Sequence, residues 1–451
     1  MKKIKFLLVL WLCKFINFIV PLVRKNGGSM IAGKIAVLLN KAFIKGFTNI
    51  DYNKVIFITG TNGKSTTNNI IAHTMESSGI KVASNREGAN LMSGIATTLI
   101  KNSNLSGKFN KEMLVLEVDE RILPKVHKFL PAKHLCITNI QKDQMQRNGE
   151  PDLIYQLIKS AIQDDMTIYV NNEDPRAKSL GSFVKNTIYY SIDKNDRTFK
   201  KEGFYVITMP CPICNHRLNF NYYNVDNIGD YECSNCGYKV NSNVEFTAKK
   251  IDYKNGTFIC QGKKYKVPYA EPHFIYNFTA CIAVCKQFGI SEKAIANAFA
   301  NFTNVSGRTD TIKYKTKEIK YMKLKTENPE TIQYSINYAA MDKQNKIIIF
   351  ALEELAEFLP FTNTFYAYDC DFQKLIDSNV ERYICSSKAV AYDAANVLIY
   401  AGVPKDKISI LPTDDDGAIC EELDKCDIND VYLLTWSGKY KRLKEYIKKS
   451  V

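Results

Sequence analysis

Nothing in the 451-residue chain reads as an internal repeat or a low-complexity tract, and with 45% apolar and 12% aromatic residues it is neither a collagen-like rod nor a disordered tail. It also lacks an uninterrupted apolar run of membrane length. The stretch that comes nearest, Phe6 to Val23, is broken by Lys14 and Asn17, and no small-residue cleavage site follows in Arg24-Lys25-Asn26-Gly27-Gly28. A charge at the centre of a spanning helix is costly, and lysines flank this one on both sides. A helix on a membrane surface is therefore preferred to a spanning one, with packing against the protein body as the third reading. Acidic residues are the scarcer charge, 47 against 61 basic, and the net +14 points to anionic partners: nucleotides, phosphorylated lipids, nucleic acid or an anionic membrane. The 13 cysteines are odd in number and follow no secretory pattern, which argues against a disulfide framework and for a reducing cytoplasm.

The periodicity predicts an α/β protein. Lys54 to Thr59 is a short buried strand, followed by a glycine-punctuated turn and a helix over Ser65 to Ser78. Further strands are expected at Met113–Val118, His134–Thr138 and Met166–Val170, with helical patterns between them, so the sheet is mainly parallel and covered on both faces. From about Phe204 to Val240, Cys, Asn, Tyr and Gly replace this rhythm, which marks an insertion. The rhythm resumes with strands at Lys346–Phe350, Arg382–Cys385 and Val431–Leu434. The expected organisation is an N-terminal helical segment (1–50), a central α/β domain (51–309) carrying the insertion (204–240), and a separate Rossmann-like α/β domain (310–451).

Cys211-Pro212-Ile213-Cys214 and Cys233-Ser234-Asn235-Cys236 form the sharpest motif, because paired CxxC knuckles set four thiolates around one zinc. Gly237 after the second pair permits the tight backbone a knuckle requires, and a segment this poor in aliphatic residues draws its folding energy from the metal. Four cysteines fill the shell, so the zinc is read as structural. The plainer alternative of four buried thiols is disfavoured by the polar, turn-rich setting. Cys281 and Cys285, by contrast, read as core thiols and His216 as a loop residue.

Thr59-Gly60-Thr61-Asn62-Gly63-Lys64-Ser65-Thr66 joins a strand to a helix, where glycines let backbone N–H groups cradle phosphate oxygens and the helix N-terminus adds positive potential. Lys64 would reach the terminal phosphates and Ser65 would offer a hydroxyl to magnesium. The full Walker spacing would need glycine where Ile58 stands. Glu117 and Asp119 lie at the end of the next strand, the usual ligand edge of an open parallel sheet, and one of them is expected to bind magnesium.

These residues resemble the Mur ligases, the peptidoglycan amide-bond-forming ligases that also include folylpolyglutamate synthase. Gly60 to Thr66 is similar to that family's ATP loop, and Glu117 in Leu116-Glu117-Val118-Asp119-Glu120 to its magnesium-binding glutamate. Asn171-Asn172-Glu173-Asp174-Pro175 resembles its Asn-x-Asp-Asp-Pro segment. His273 and Asn277 resemble its nucleotide-contacting stretch, and Gly307-Arg308 its Gly-Arg turn. A four-cysteine ribbon inside the ATPase domain is specific to one branch, the synthetase subunits of lipid II isoglutaminyl synthases.

The resemblance implies a Mur ligase-like central domain and ATP-dependent amidation of the D-glutamate α-carboxylate of the lipid II stem peptide. Ammonia would come from a separate glutaminase subunit of the GatD type. It implies ATP, Mg²⁺ and structural Zn²⁺ as cofactors, with Lys64, Glu117 and Asn328 as catalytic residues. Gly60, Thr61, Asn62, Gly63, Lys64, Ser65, Thr66, Asn172, Asp174, Asn277 and Arg308 would contact nucleotide, and Ser65 and Glu117 magnesium. The expected setting is the cytoplasm, with peripheral contact at the membrane's inner face and no nucleic acid.

Two departures stand out. Glu327 occupies the place of the family's lysine before Asn328-Pro329, and Asn363 that of an aspartate offered to the glutaminase's Cys-His pair. Lys325 for the first, and Glu354, Glu357 or Asp369 for the second, are the neighbours that could compensate. A Mur-type ligase for another substrate and a non-catalytic ATP-binding paralogue are the alternatives.

Overall fold

Val55–Thr59 (β1) is buried along its whole length, as a parallel strand covered on both faces requires. In the computed structural model, which describes residues 2–23, 30–86, 89–143, 150–201, 209–303, 309–323, 328–352 and 366–450, β1 is central to a larger sheet. The chain forms two units. The first comprises Met1–Gln141, Pro151–Lys201 and Ile207–Asn304, and the second Lys142–Glu150, Glu202–Val206 and Val305–Val451.

In the first unit, β1 is joined by Val82–Ser84 (β2), Met113–Glu117 (β3), His134–Ile137 (β4), Thr167–Asn171 (β5) and Asn186–Ile192 (β6). The insertion adds Leu218–Val225 (β7) and Ile228–Cys233 (β8), an antiparallel hairpin. Phe246–Asp252 (β9), Thr257–Cys260 (β10) and Lys263–Lys266 (β11) complete the unit. The nine-stranded sheet runs β11-β10-β9-β6-β5-β4-β1-β3-β2, parallel from β2 to β9 and antiparallel at β10 and β11.

Strand order reverses around β1, which has β3 on one side and β4 on the other. In open parallel sheets that reversal opens a crevice at the carboxyl ends of the strands. Helices Lys64–Ser77 and Pro272–Gln287 cover one face through a core that includes Ile70, Ile71, Phe278 and Ile282. The other face packs on a second core containing Phe57, Leu116, Ile95 and Leu99.

The second unit carries its own six-stranded sheet. Its strands are Thr309–Tyr314 (β12), Lys317–Lys323 (β13), Lys346–Ala351 (β14), Val380–Ser386 (β15), Ile408–Leu411 (β16) and Asp430–Thr435 (β17), in the order β12-β13-β17-β14-β15-β16. All neighbours except β12 and β13 are parallel. The α/β class expected for both units is therefore present.

The apolar N-terminal stretch is a helix, Lys2–Val23, that packs one side on the first unit, with Phe6, Val9, Leu10 and Cys13 buried. Among the described residues no helix is long and apolar enough to cross a membrane.

Candidate functional site

The turn after β1 enters helix Lys64–Ser77 through Gly63, which has φ +84°, and no described side chain caps that helix start. The first amides of a helix have no intrahelical partner, so an uncapped N-terminus presents free donors and positive potential to an anion. Both glycines are required. Gly60 has φ +123°, and a Cβ there would lie 2.3 Å from Thr138 Oγ1. At Gly63 it would lie 2.6 Å from Asn277 Oδ1.

The loop is braced from β4. Thr61 N donates to Asn139 O at 2.8 Å, Asn62 N to Asn139 Oδ1 at 2.9 Å, and Asn139 Nδ2 to Asn62 O at 3.0 Å. Thr61 Oγ1 accepts from Gln141 N at 2.9 Å and donates to Gln141 O at 3.2 Å. Asp174 stands behind this brace. Its Oδ2 accepts from Ile140 N at 2.9 Å and Gln141 Nε2 at 2.7 Å, while Oδ1 caps helix Pro175–Leu180 through Ala177 N at 2.8 Å. Asn172 clasps the chain leaving the insertion, with Asn241 N and O at 2.9 and 3.1 Å. Asn277, from helix Pro272–Gln287, accepts from Thr67 Oγ1 at 3.1 Å.

Lys64 bends back across the loop mouth. Its Nζ donates to the carbonyls of Gly60 and Thr61 and to Glu120 Oε1, the last at 2.9 Å. Burial raises the Glu120 pKa and the Lys64 charge opposes that rise. Ser65 is exposed on the first turn and Thr66 is buried.

The two carboxylates after β3 differ. Burial works against ionised Asp119, but the paired hydrogen bonds from Arg121, at 2.9 and 2.7 Å, prevail and hold its pKa below the usual range. Glu117 is buried and accepts from Asn90 Nδ2 at 3.0 Å through Oε1, whereas Oε2 has no hydrogen-bond partner among the described residues. A buried carboxylate oxygen left without a partner is costly unless something cationic meets it, which suits a magnesium ligand.

The four cysteines of the insertion converge, with Sγ atoms all within 4.8 Å of one another. Cys211 and Cys236 are 3.7 Å apart, and Cys214 and Cys233 are 3.5 Å apart. A tetrahedron with metal–sulfur bonds of about 2.3 Å has edges of about 3.8 Å, so the donor set fits zinc. The two knuckles repeat one backbone design. Asn215 N donates to Cys211 O and Gly237 N to Cys233 O, each at 2.9 Å, with φ +62° at Asn215 and +70° at Gly237. Cys211 N then meets His216 O, as Cys233 N meets Tyr238 O. Hydrogen bonds from Asn235 and then the His216 backbone draw the Cys214 pKa down to about 6, while burial pushes Cys211 up to about 12.

In the second unit Asn328 is fully buried and caps helix Pro329–Met341. Its Oδ1 accepts from Thr331 N at 3.0 Å and its Nδ2 donates to Asp143 Oδ1 at 2.9 Å. Arg308, Lys325, Glu327, Glu354, Glu357 and Asn363 lie outside the described residues.

The family model for the Mur ligase middle domain matches residues 58–285, half of the chain. The chain belongs to the Mur ligase family. A second family model, MurT ligase C-terminal, matches residues 326–437. The lipid II isoglutaminyl synthase (glutamine-hydrolyzing) subunit MurT of Staphylococcus aureus (strain COL) is 28% identical over 359 residues, 79% of this chain and 79% of that protein. The subunit of the same name from Streptococcus pneumoniae (strain ATCC BAA-255 / R6) is 26% identical over 427 residues, covering 91% and 90%. A pseudomurein peptide ligase type C from Methanothermus fervidus shares the fold, with a TM-score of 0.66 at 21% identity over 93% of this chain and 84% of that one.

Asn139, Gln141 and Glu120, which hold the Mur ligase loop, and Asn90, which holds Glu117, are assigned no role by the sequence motifs. A signal existed for the first two, since Asn139-Ile140-Gln141 places polar residues just past a buried strand on the ligand edge of the sheet.

Proposed function

We propose that this chain is the ATP-dependent synthetase subunit of a lipid II isoglutaminyl synthase. The α-carboxylate of D-glutamate in the lipid II stem peptide takes the γ-phosphoryl group to become an acyl phosphate. Ammonia, released by a GatD-type glutaminase subunit, then displaces phosphate to give the amide. One observation carries most of the reading: an uncapped helix start after a two-glycine loop that follows β1, the strand paired with the one carrying Glu117, whose buried Oε2 lacks a partner among the described residues.

Bound ATP supplies the phosphoryl group that turns a carboxylate oxygen into a leaving group. The amides at the helix start, Gly63 to Thr66, would hold its phosphates, while Thr61 and Asn62 fix the loop through Asn139. Lys64 rests against Glu120 and the loop carbonyls, and its ammonium would turn from them to a phosphate oxygen of the bound nucleotide. Glu117 Oε2 and the Ser65 hydroxyl are the oxygen donors proposed for Mg²⁺. Asn277 and Arg308 are proposed to face the nucleotide. Asn172 and Asp174 would serve it indirectly, through Asn241 and Gln141. Asn328 is proposed to act by setting Asp143 and the start of its helix. The four cysteines are proposed to hold a structural Zn²⁺, with no open coordination position for chemistry.

The names of the relatives support glutamine as the nitrogen source. Asn363 favours a second reading, in which the ligase takes ammonia or another amine directly, because an amide in place of a carboxylate stabilises an imidazolium poorly. The test is purified chain with lipid II and ATP, given either glutamine plus glutaminase or ammonium alone. Amide formation in both arms supports the proposal, and formation with ammonium only supports the second reading. No amide in either arm rejects both.

A further inference from the structure

The helix Lys2–Val23 carries apolar residues both on the side the protein covers and on a side left exposed among the described residues. On the covered side Phe6 meets Phe43 and Phe47, with ring centroids 5.1 and 5.2 Å away, and Cys13 Sγ donates to Ala32 O at 3.2 Å. Lys14, the charge that interrupts the run, is turned inward and donates to Ile100 O at 2.7 Å and to Ser103 O. It therefore anchors the helix rather than decorating its outer face.

The outer face is a stripe. Ile4, Leu8, Trp11, Phe15, Phe18 and Ile19 follow one another at helical spacing, and exposure reaches 64% at Ile4, 60% at Phe15 and 72% at Phe18. The neighbouring helix Ile31–Leu39 adds Leu38, 82% exposed. With roughly 200 Å² per large side chain, these residues show roughly 800 Å² to solvent, above the ~300–600 Å² of the largest patch on a typical monomer.

Charge selects the occupant. The first 50 residues contain nine lysines and arginines and no aspartate or glutamate, so most of the chain's net +14 sits here. Lys3 and Lys5 flank Ile4 on the helix, and Lys34, Lys41 and Lys45 are exposed on or beside the segments that helix packs against. A second copy of the chain would set this charge against itself. Apolar residues including a tryptophan, rimmed by lysines, on a helix too short of apolar character to span, have the chemistry of an interfacial helix on anionic lipid. We propose that residues 3–19 and 31–45 dock on an anionic bilayer surface, with the Ile4–Ile19 stripe in the headgroup–acyl boundary and the lysines on the headgroups. This stands independently of the ligase reading, since docking needs neither nucleotide nor substrate.

The test is sedimentation of the full chain with vesicles of phosphatidylcholine alone or mixed with phosphatidylglycerol. Roughly tenfold or greater preference for the mixed vesicles, falling with salt, is expected. The Phe15→Glu/Phe18→Glu variant should lose roughly tenfold or more of that binding while keeping the wild-type Tm and ATP affinity, because both side chains are exposed. Absence of vesicle binding, equal binding to both vesicle types, or wild-type binding by a folded variant would overturn the proposal. So would a concentration-dependent dimer abolished by the same variant, which would make a second copy the occupant. ATP binding measured on the same samples separates this failure from failure of the ligase reading.

Discussion

Asp174→Ala is the substitution whose cost can be worked most directly from the structure. The carboxylate is fully buried and accepts three hydrogen bonds, from Ile140 N, Gln141 Nε2 and Ala177 N. Losing the helix cap costs about 1 kcal/mol. Leaving two buried donors unpaired adds about 1–3 kcal/mol each. Burial already raises the Asp174 pKa, so removing the charge returns part of this, and a net loss of about 3–5 kcal/mol is expected. Because Gln141 grips Thr61 through two further bonds, the loop should loosen as well and nucleotide affinity should fall. The chain's two tryptophans, Trp11 and Trp436, fall in different units, so urea unfolding followed by Trp11 fluorescence in a Trp436→Phe background reports on the first unit. Asp174→Asn keeps the cap but points an amide at two donors, and should lose less. A destabilisation of Asp174→Ala under about 1 kcal/mol, or a full loss of stability with unchanged nucleotide affinity, would refute the bracing argument.

Cys233→Ser should release the zinc, read by a metal-sensitive dye, and lower the Tm, because among the described residues the insertion's own apolar core is limited to Met209, Cys211, Leu218, Tyr231, Cys233 and their partly buried neighbours. Glu173 is fully buried, and burial raises its pKa to about 7 despite donors at Ile192 N, Tyr276, Ser191 and Asn224. Over about pH 4.5–7 the folded chain keeps a proton that the unfolded chain releases, so this group's contribution to stability falls as pH rises. Glu173→Gln should flatten that slope in urea titrations, and a slope identical to wild type would count against it. Asn363→Asp should raise glutamine-dependent amidation while leaving the ammonium-dependent rate unchanged. Equal change in both rates would show that position 363 does not serve the glutaminase.

The strands that build the site were legible because β1, β3, β4 and β5 are short, buried, β-branched or aliphatic runs, and the loop because glycines at 60 and 63 have few other uses between strand and helix. The braces were not. Thr61 and Gln141 are 80 residues apart, and nothing in either residue type announces the pairing. The choice between Glu117 and Asp119 likewise needed Arg121, whose side chain folds back to occupy the latter. The β7–β8 hairpin was hidden for a different reason. In β7 the alternation runs only from Leu218 to Tyr222, with asparagines at 219 and 221, and the register shifts along the strand, while the cysteine knuckles and the Asn224–Glu173 contact at 2.7 Å add support. Lys14 read as a break in the apolar run, but two backbone carbonyls receive it.

Isothermal titration of ATP with saturating Mg²⁺ into wild type and Lys64→Ala tests the central claim most directly. Binding at one site in the wild type, lost or weakened at least about tenfold in the variant, is the predicted result. A wild-type chain, loaded with zinc and folded, that takes up no nucleotide would contradict it.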